Sequence, residues 1–143
     1  MSEEIKSIKK WFELAKPEST EKDQMVQIGC HFEEFSEMLT SIGFIKSCDT
    51  VNAVDSIAEH FKAGKVSNFS GDIDKVELLD SLCDQIVTAI GVAHMLGFDI
   101  EGALNEVNNS NYSKFEDGKP VFNEQGKIAK GKDYFAPDLS EFV

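Results

Sequence analysis

The amino-acid sequence predicts an all-α protein, on three observations. Apolar residues recur at helical spacing through most of the chain up to about residue 113. Capping residues, glycines and a proline mark where the successive helices begin and end. The 143 residues fit one domain with its own core. We therefore predict a single domain over residues 1–143: about five helices forming a four-helix-bundle-like core over about 5–113, and an irregular tail over about 114–143.

The first two helices follow from local signals. The first is predicted over about residues 5–15, because Lys16-Pro17 cannot continue a helix. Thr20 is a suitable N-cap for the second, with Asp23 three residues later as in a capping box. This helix extends to about Ser41. Its predicted core stripe is Met25, Ile28, Phe32, Phe35, Leu39 and Ile42.

Three further helices complete the prediction. The third runs from residue 49 or 50 to Gly64, and residues 66–71 form a connecting loop. The fourth runs from about 72 to 95, and its second half is apolar on nearly every side, which predicts a central, buried helix. The fifth begins after Asp99 and extends to about residue 112.

The tail after residue 113 is weakly patterned. Its one β signal is a pair of short apolar segments, 120–122 and 127–129, on either side of Asn123-Glu124-Gln125-Gly126. Two such segments joined by turn-forming residues are typical of a hairpin. A small β-hairpin is therefore the only regular structure expected in the tail.

The composition excludes several classes of function. There are 26 acidic residues against 14 lysines and no arginine, a formal net charge of −12. A nucleic-acid-binding surface normally needs a basic stripe, so no nucleic-acid partner is expected. The longest uncharged apolar run, 86–98, is too short to span a bilayer, so no membrane is expected. Three widely spaced cysteines and an N-terminus without the apolar core of a signal peptide favour reduced thiols and a cytoplasmic protein.

Two clusters of acidic residues on predicted helices have no lysine or arginine near them in sequence. The first is Glu33-Glu34-Phe35-Ser36-Glu37, and the second is Glu77-Leu78-Leu79-Asp80, with Asp84 one turn further on. No Lys or Arg occurs over residues 24–44 or 77–112. Carboxylates crowded together without cations repel each other and raise each other's pKa values.

Helical geometry arranges these acids on faces. At 100° per residue, Glu34 and Glu37 lie on neighbouring turns, and Glu77, Asp80 and Asp84 fall within an arc of roughly 60°. The simplest interpretation is two solvated faces of amphipathic helices. On a solvated face, however, an acidic residue usually has a Lys or Arg three or four positions away, and the acidic residues of these two faces have none. If the helices pack antiparallel, the carboxylates converge, and their hard oxygens favour Mg²⁺.

These residues resemble a known family. Glu33-Glu34-x-x-Glu37 and Glu77-x-x-Asp80 are similar to the paired motifs of the all-α nucleoside triphosphate pyrophosphohydrolase superfamily, which includes MazG-type enzymes, dimeric dUTPases and phosphoribosyl-ATP pyrophosphohydrolases. The resemblance spans about residues 20–115. The run Asn111-Tyr112-Ser113-Lys114-Phe115 looks like the element with which such enzymes hold substrate phosphates. The lysine-containing tail resembles the phosphoribosyl-ATP pyrophosphohydrolase-like branch.

The resemblance implies Mg²⁺-dependent hydrolysis of a nucleoside triphosphate, or a related nucleotide, to monophosphate and pyrophosphate. Glu34, Glu37, Glu77 and Asp80 would bind Mg²⁺, for which Mn²⁺ is a natural substitute. Glu33 would be the general base, with a pKa raised by its acidic surroundings, or a ligand of an additional ion.

Other side chains are candidates for supporting roles. Asp84 matches no motif position and would lie behind the metal ligands. Lys114 is the first cation after 38 residues without one, and with Asn111 it is the candidate for phosphate contact. Gln27 and His31 share a helix face and would line a nucleoside pocket. Trp11 is expected to be a core anchor.

The resemblance further implies a homodimer, or a tetramer, with a nucleotide as the other partner. Two alternatives stay open. One is a non-enzymatic acidic helical protein that mimics the charge of nucleic acid, which the net charge of −12 would suit. The other is a family member that has lost catalysis, since many relatives use arginine and this chain has none.

Overall fold

The computed structural model describes residues 3–66, 72–124 and 126–143. Five α-helices occur in these residues: α1 (Glu3–Ala15), α2 (Glu21–Ser41), α3 (Asp49–Lys62), α4 (Lys75–Leu96) and α5 (Ile100–Tyr112). A short 3-10 helix, Ser140–Phe142, follows near the end. No β-strand is present in the described part of the chain. The predicted all-α class is therefore confirmed.

Capping interactions begin and end the helices largely where the sequence indicated. At the start of α2 the Asp23 N–H donates to Thr20 Oγ1 (3.2 Å) and the Thr20 N–H donates to the Asp23 carboxylate (2.9 Å), which completes the capping box. Gly97 ends α4 with a φ of 81°, a left-handed conformation that suits glycine. The start of α4 was predicted too early, because Asp74 is the residue that caps it. The predicted loop over residues 66–71 lies almost wholly outside the described residues.

The described chain forms two compact units. One contains α1, α4, α5, the 3-10 helix and most of the tail. The other contains α2 and α3, together with residues 122–124, 126 and 127 of the tail.

The first unit has a small aromatic core. Trp11, Ala15 and Phe115 are buried, and Tyr112 and Ile128 pack against them. The Trp11 indole stacks on the Phe115 ring with centroids 5.5 Å apart, and its N–H donates to the backbone carbonyl of Asn111 (2.9 Å). The prediction that Trp11 is a core anchor is confirmed.

Backbone and side-chain hydrogen bonds hold the tail near the end of α5. The Gly131 N–H donates to the Lys114 carbonyl (3.0 Å), and the Ser110 hydroxyl donates to the Phe135 carbonyl (2.8 Å). The Ala129 N–H donates to the Val121 carbonyl (2.7 Å). This hydrogen bond joins the two segments of the predicted hairpin. The described residues of these segments form no β-strand.

The second unit is an antiparallel helix pair. The Phe32 and Phe61 rings stack with centroids 5.8 Å apart, and the Ser36 hydroxyl donates to the Asp55 carboxylate (2.5 Å). A Cβ added at Gly29 would lie 2.7 Å from the Ala58 carbonyl oxygen, so α2 and α3 approach closely there. Small residues permit this contact. Two of them on α2, Gly29 and Ser36, are buried where α2 meets α3.

The predicted core stripe of α2 is therefore only partly correct. Leu39 is buried, but Phe35 and Ile42 are 48% and 64% exposed. The face of α2 that packs on α3 includes the small residues Gly29 and Ser36 and is therefore not the face that carries the predicted stripe of large apolar side chains.

The prediction that α4 is a central, buried helix is wrong within this chain. Ala93 is its one buried residue, whereas Val76, Val87 and Met95 are 76%, 65% and 83% exposed. Among the described helices of its own unit, only α5 packs against α4. The apolar character of α4 is real, but most of it faces outward.

Two glycine substitutions test the close contact of α2 and α3. In Gly29→Ala, the added Cβ would meet Lys62 Cγ at 2.6 Å and the Ala58 carbonyl at 2.7 Å. We expect a loss of about 1–3 kcal/mol in the free energy of unfolding, the usual cost of overpacking. The measurement is urea unfolding followed by circular dichroism.

Gly91→Ala is the matched control, because it is also a mid-helix glycine but has no atom within 4 Å of the added Cβ. It should stabilise the protein by up to about 1 kcal/mol through helix propensity. Equal effects of the two substitutions would contradict the close contact.

Candidate functional site

Glu33 lies between two lysines that are distant in sequence. One oxygen of its carboxylate is 3.2 Å from Lys62 Nζ, and the other accepts a hydrogen bond from Lys127 Nζ at 3.0 Å. Lys62 is also 2.7 Å from the Glu59 carboxylate, and its side chain is only 9% exposed. The first acid cluster therefore has cationic partners, although its own helix supplies none.

Local structure places both lysines. Lys62 reaches Glu33 by passing over Gly29, whose missing side chain leaves room for the lysine stem. Lys127 is fixed by a turn, in which its N–H donates to the Asn123 side chain (3.0 Å) and its carbonyl accepts from the Asn123 N–H (2.9 Å). The backbone thus holds each ammonium group close to the same carboxylate.

The lysines lower the pKa of Glu33. Burial raises the pKa of Glu33, but the hydrogen bonds from Lys127 and Lys62 outweigh burial and hold this pKa below its usual range. Burial lowers the pKa of Lys62 and of Lys127, yet their hydrogen bonds to carboxylates outweigh it and raise both values. The sequence led us to expect a raised pKa at Glu33, and the structure gives the opposite. Glu33 is ionised at neutral pH.

The remaining acids of the first cluster face outward from α2. Glu34 and Glu37 are exposed on neighbouring turns. The hydrogen bond from Ser36 to Asp55 fixes this part of α2 against α3. Gln27 and His31 are also exposed on α2.

The acids of the second cluster lie on the first turns of α4. Glu77, Asp80 and Asp84 are all exposed. Among the described residues, no ion pair or side-chain hydrogen bond involves the carboxylates of Glu37, Glu77 or Asp80. These three acids therefore differ from Glu33, which two lysines neutralise.

Carboxylate oxygens are the donor type that Mg²⁺ prefers, and α2 and α4 each offer two exposed carboxylates. Glu34 and Glu37 belong to the unit formed by α2 and α3, whereas Glu77 and Asp80 belong to the unit that contains α4. No group of three or more His, Cys, Asp or Glu side chains that could hold a metal occurs within residues 3–66, 72–124 and 126–143. The convergence of the two pairs on one ion stays a prediction.

Lys114 and Asn111 are brought together as their spacing suggested. Lys114 Nζ donates to Asn111 Oδ1 at 2.7 Å, and both residues are partly buried at the end of α5. The carbonyl of Asn111 accepts from Trp11 and that of Lys114 accepts from Gly131. An ammonium group and an amide are thus held side by side on a fixed backbone.

A cavity of about 490 Å³ lies at one end of the α2–α3 pair. Met25, Phe61 and Val66 form its apolar lining, and Lys22 and Lys62 are among its polar lining residues. Gln27 and His31 do not line this cavity, so it is separate from the predicted nucleoside pocket.

Sequence analysis did not identify Lys62 and Lys127 as partners of Glu33. These lysines are 29 and 94 positions away along the chain, so no helical-spacing rule connects them to Glu33. One signal was present: Gly29 and Ser36 stand seven residues apart on α2, a spacing of small residues that permits close helix packing.

Comparisons with known proteins gave no relative. No protein-family model matches the chain, and searches of curated proteins and of solved structures found no match. In the part of the chain that the structure describes, no helix has both the length and the apolar character needed to cross a membrane.

Lys62→Met tests the ion-pair cluster, because methionine keeps much of the aliphatic stem and removes the charge. Since the folded-state pKa of Glu33 is lowered, this cluster stabilises the protein above the ordinary carboxylate pKa, and that contribution is lost as the pH falls through the folded-state pKa. We expect the wild type to lose more stability than the variant between about pH 5 and pH 3, measured by urea unfolding.

Lys65→Met provides the control, since Lys65 is an exposed lysine near the end of α3. Its pH dependence should match that of the wild type. If Lys62→Met also followed the wild-type curve, the cluster would not contribute to stability.

Proposed function

We propose that this protein is a Mg²⁺-dependent nucleotide pyrophosphohydrolase, which cleaves a nucleoside triphosphate or a related nucleotide to monophosphate and pyrophosphate. The observation that carries the proposal is the contrast between Glu33, which two lysines neutralise, and the exposed acids Glu37, Glu77 and Asp80, which have no described cationic partner. Acids one turn apart on a helix repel each other unless a cation lies nearby. The resemblance of the paired acid motifs to the pyrophosphohydrolase superfamily supports the same function.

In this proposal Glu34 and Glu37 form one pair of Mg²⁺ ligands, and Glu77 and Asp80 form the other. When bound, Mg²⁺ neutralises charge that develops on the phosphate oxygens and activates a water. Asp84, one turn beyond Asp80, adds negative charge behind the ligands.

Glu33 has a modified role in the proposal. Because its pKa is lowered, Glu33 is an ionised acceptor at neutral pH and a weaker base than an ordinary glutamate. It is therefore suited to orient a water through a hydrogen bond. Lys62 and Lys127 hold its carboxylate in place while it does so.

Lys114 and Asn111 form the phosphate-binding side. A chain without arginine cannot grip phosphate through a guanidinium fork, so lysine, amide donors and Mg²⁺ must do this work. Phosphate would accept a hydrogen bond from Lys114 in place of the Asn111 side chain. Gln27 and His31 remain the candidates for nucleoside contact. We further propose a cytoplasmic homodimer, with a tetramer as the larger alternative.

A second candidate function is a non-enzymatic acidic protein that binds a cationic partner. The exposed acids on α2 and α4 and the net charge of −12 favour it. Catalysis separates the two candidates. An acidic mimic, or a member that has lost catalysis, would release no pyrophosphate from any nucleotide.

The proposed activity predicts Mg²⁺-dependent release of pyrophosphate from a panel of nucleotides that includes modified bases and phosphoribosyl-ATP. Glu37→Gln and Glu77→Gln should each lower kcat/KM by about 100-fold or more, because each removes a charged metal ligand. Glu101→Gln, an exposed acid in the first turn of α5, should leave the rate unchanged. Full activity of Glu37→Gln in well-folded protein would exclude the metal-site model.

Lys114→Met should raise KM by about tenfold and change kcat less, because it removes an ammonium group that contacts phosphate in both the ground state and the transition state. Steady-state kinetics with the best nucleotide of the panel provides the measurement. Lys119→Met, at a nearby exposed lysine, is the control. Equal KM values for the two variants would remove Lys114 from the phosphate-binding role.

A further inference from the structure

Near the end of the chain, residues 131–142 run along α5 in the direction opposite to it, and we call this segment the strap. At one end of the strap the Gly131 N–H donates to the Lys114 carbonyl (3.0 Å). At the other end the Phe142 carbonyl accepts a hydrogen bond from the Asp99 N–H (2.9 Å). The strap and α5 both belong to the first unit, so this arrangement is internal to that unit.

Between these ends, side chains of α5 and of the serine that follows it bind the backbone of the strap. The Ser110 hydroxyl donates to the Phe135 carbonyl (2.8 Å), and the Phe135 N–H donates to Ser113 Oγ (3.1 Å). Closer to the start of α5, the Asp138 N–H donates to the Glu106 carboxylate (3.3 Å). The strap is therefore held along its whole length through its own backbone groups.

The strap buries little apolar surface. None of residues 131–143 is buried, and Phe135 and Leu139 are 48% and 37% exposed. The Phe142 ring lies close to α5, since a Cβ added at Gly102 would be 2.6 Å from it. Segments with few buried apolar contacts and with exposed backbone hydrogen bonds are those that open locally while the rest of a protein stays folded.

The helix beneath the strap is also held by α1. The Asn108 side-chain amide donates to the Ser7 hydroxyl (2.6 Å), and the Tyr112 hydroxyl donates to the Ser7 carbonyl (2.9 Å). The Trp11 indole N–H donates to the carbonyl of Asn111 (2.9 Å). None of these bonds involves the strap, so the contact between α1 and α5 can persist when the strap opens.

Lys114 lies beyond the last residue of α5, and the strap helps to hold its backbone. A Cβ added at Gly131 would lie 2.6 Å from the Lys114 carbonyl oxygen, so the two segments touch there. The Lys132 N–H donates to the Glu116 carboxylate (2.8 Å), and Ser113 accepts from the strap as described above. The strap thus binds Lys114 itself and residues on both sides of it.

We propose that the strap opens and closes as one unit while α1 and α5 stay folded, and that the closed strap holds Lys114 in position to bind phosphate. The second part rests on the proposed function, because it requires Lys114 to contact phosphate, whereas the first part does not. A ligand that binds only the closed state also stabilises that state. Phosphate binding at Lys114 and closure of the strap therefore favour each other.

Native-state amide hydrogen exchange, followed by NMR, tests whether the strap opens as one unit. The amides that report on it are those of Asp99, Gly131, Lys132, Phe135 and Asp138. We expect these amides to share one opening free energy, smaller than that of the amides in the middle of α5.

Phe142→Ala removes the ring contact at one end of the strap. It should speed the exchange of all five amides by a common factor of roughly tenfold or more. If the Asp99 amide exchanged faster while the Gly131 amide at the other end did not change, the segment would fray from its end, and the proposal would be overturned.

A double substitution, Ser110→Ala with Ser113→Ala, removes the two bonds to Phe135 in the middle of the strap. It should speed the exchange of the same five amides by roughly tenfold, since two hydrogen bonds are lost. Ser41→Ala is the matched control, because its hydroxyl donates to the carbonyl three residues earlier, as that of Ser113 does, but does not contact the strap. Equal exchange rates in the double variant and the control would contradict the proposal.

Inorganic pyrophosphate with Mg²⁺ tests the connection to Lys114. At about ten times its dissociation constant, pyrophosphate should slow the exchange of the five amides roughly tenfold. Lys114→Met should abolish this slowing, and Lys119→Met should retain it. Unchanged exchange at saturating pyrophosphate would overturn the connection, whether or not the protein is an active enzyme. Failure of the proposed function is recognised separately, because no nucleotide would then release pyrophosphate.

Discussion

A shortage of positive charge is the constraint on which the rest of this structure depends. The chain has 14 lysines, no arginine and 26 acidic residues. Two of those lysines, Lys62 and Lys127, hold Glu33, so just past the middle of α2 the repulsion is relieved by residues from elsewhere in the fold. Glu37, Glu77 and Asp80 receive no such relief within the described residues. The proposed metal and the proposed phosphate-binding role of Lys114 are both responses to this imbalance.

The neutralisation of Glu33 begins with packing, not with charge. Gly29 lets α3 approach α2 closely enough for the stem of Lys62 to cross it, and the hydrogen bond from Ser36 to Asp55 fixes the same contact further along. A buried lysine would be costly without partners, but Glu33 and Glu59 both lie within 3.2 Å of its ammonium group. Close packing at a glycine on one helix therefore helps to lower the pKa of an acid on its next turn.

Local chemistry predicted most of the fold, and long-range contacts explain what it missed. The capping box at Thr20 and the left-handed Gly97 are determined by neighbours in sequence, so the helix ends were close to correct. Asn111 and Lys114, which are joined by a hydrogen bond, are likewise close in sequence, about one helical turn apart. The partners of Glu33 come from distant segments, and no spacing rule connects them. The burial of α4 was predicted wrongly because an apolar helix surface looks the same in sequence whether it faces a core or outward.

The packing of Trp11 has a consequence for spectroscopy. It is the only tryptophan in the chain, it is 8% exposed, and its indole N–H donates to the carbonyl of Asn111. All tryptophan fluorescence of the protein therefore originates from one ring, beside the backbone that carries Asn111 and Lys114. The sequence has thus placed a single intrinsic optical reporter next to the candidate phosphate-binding residues, where changes in local polarity and ring stacking can be followed without a label.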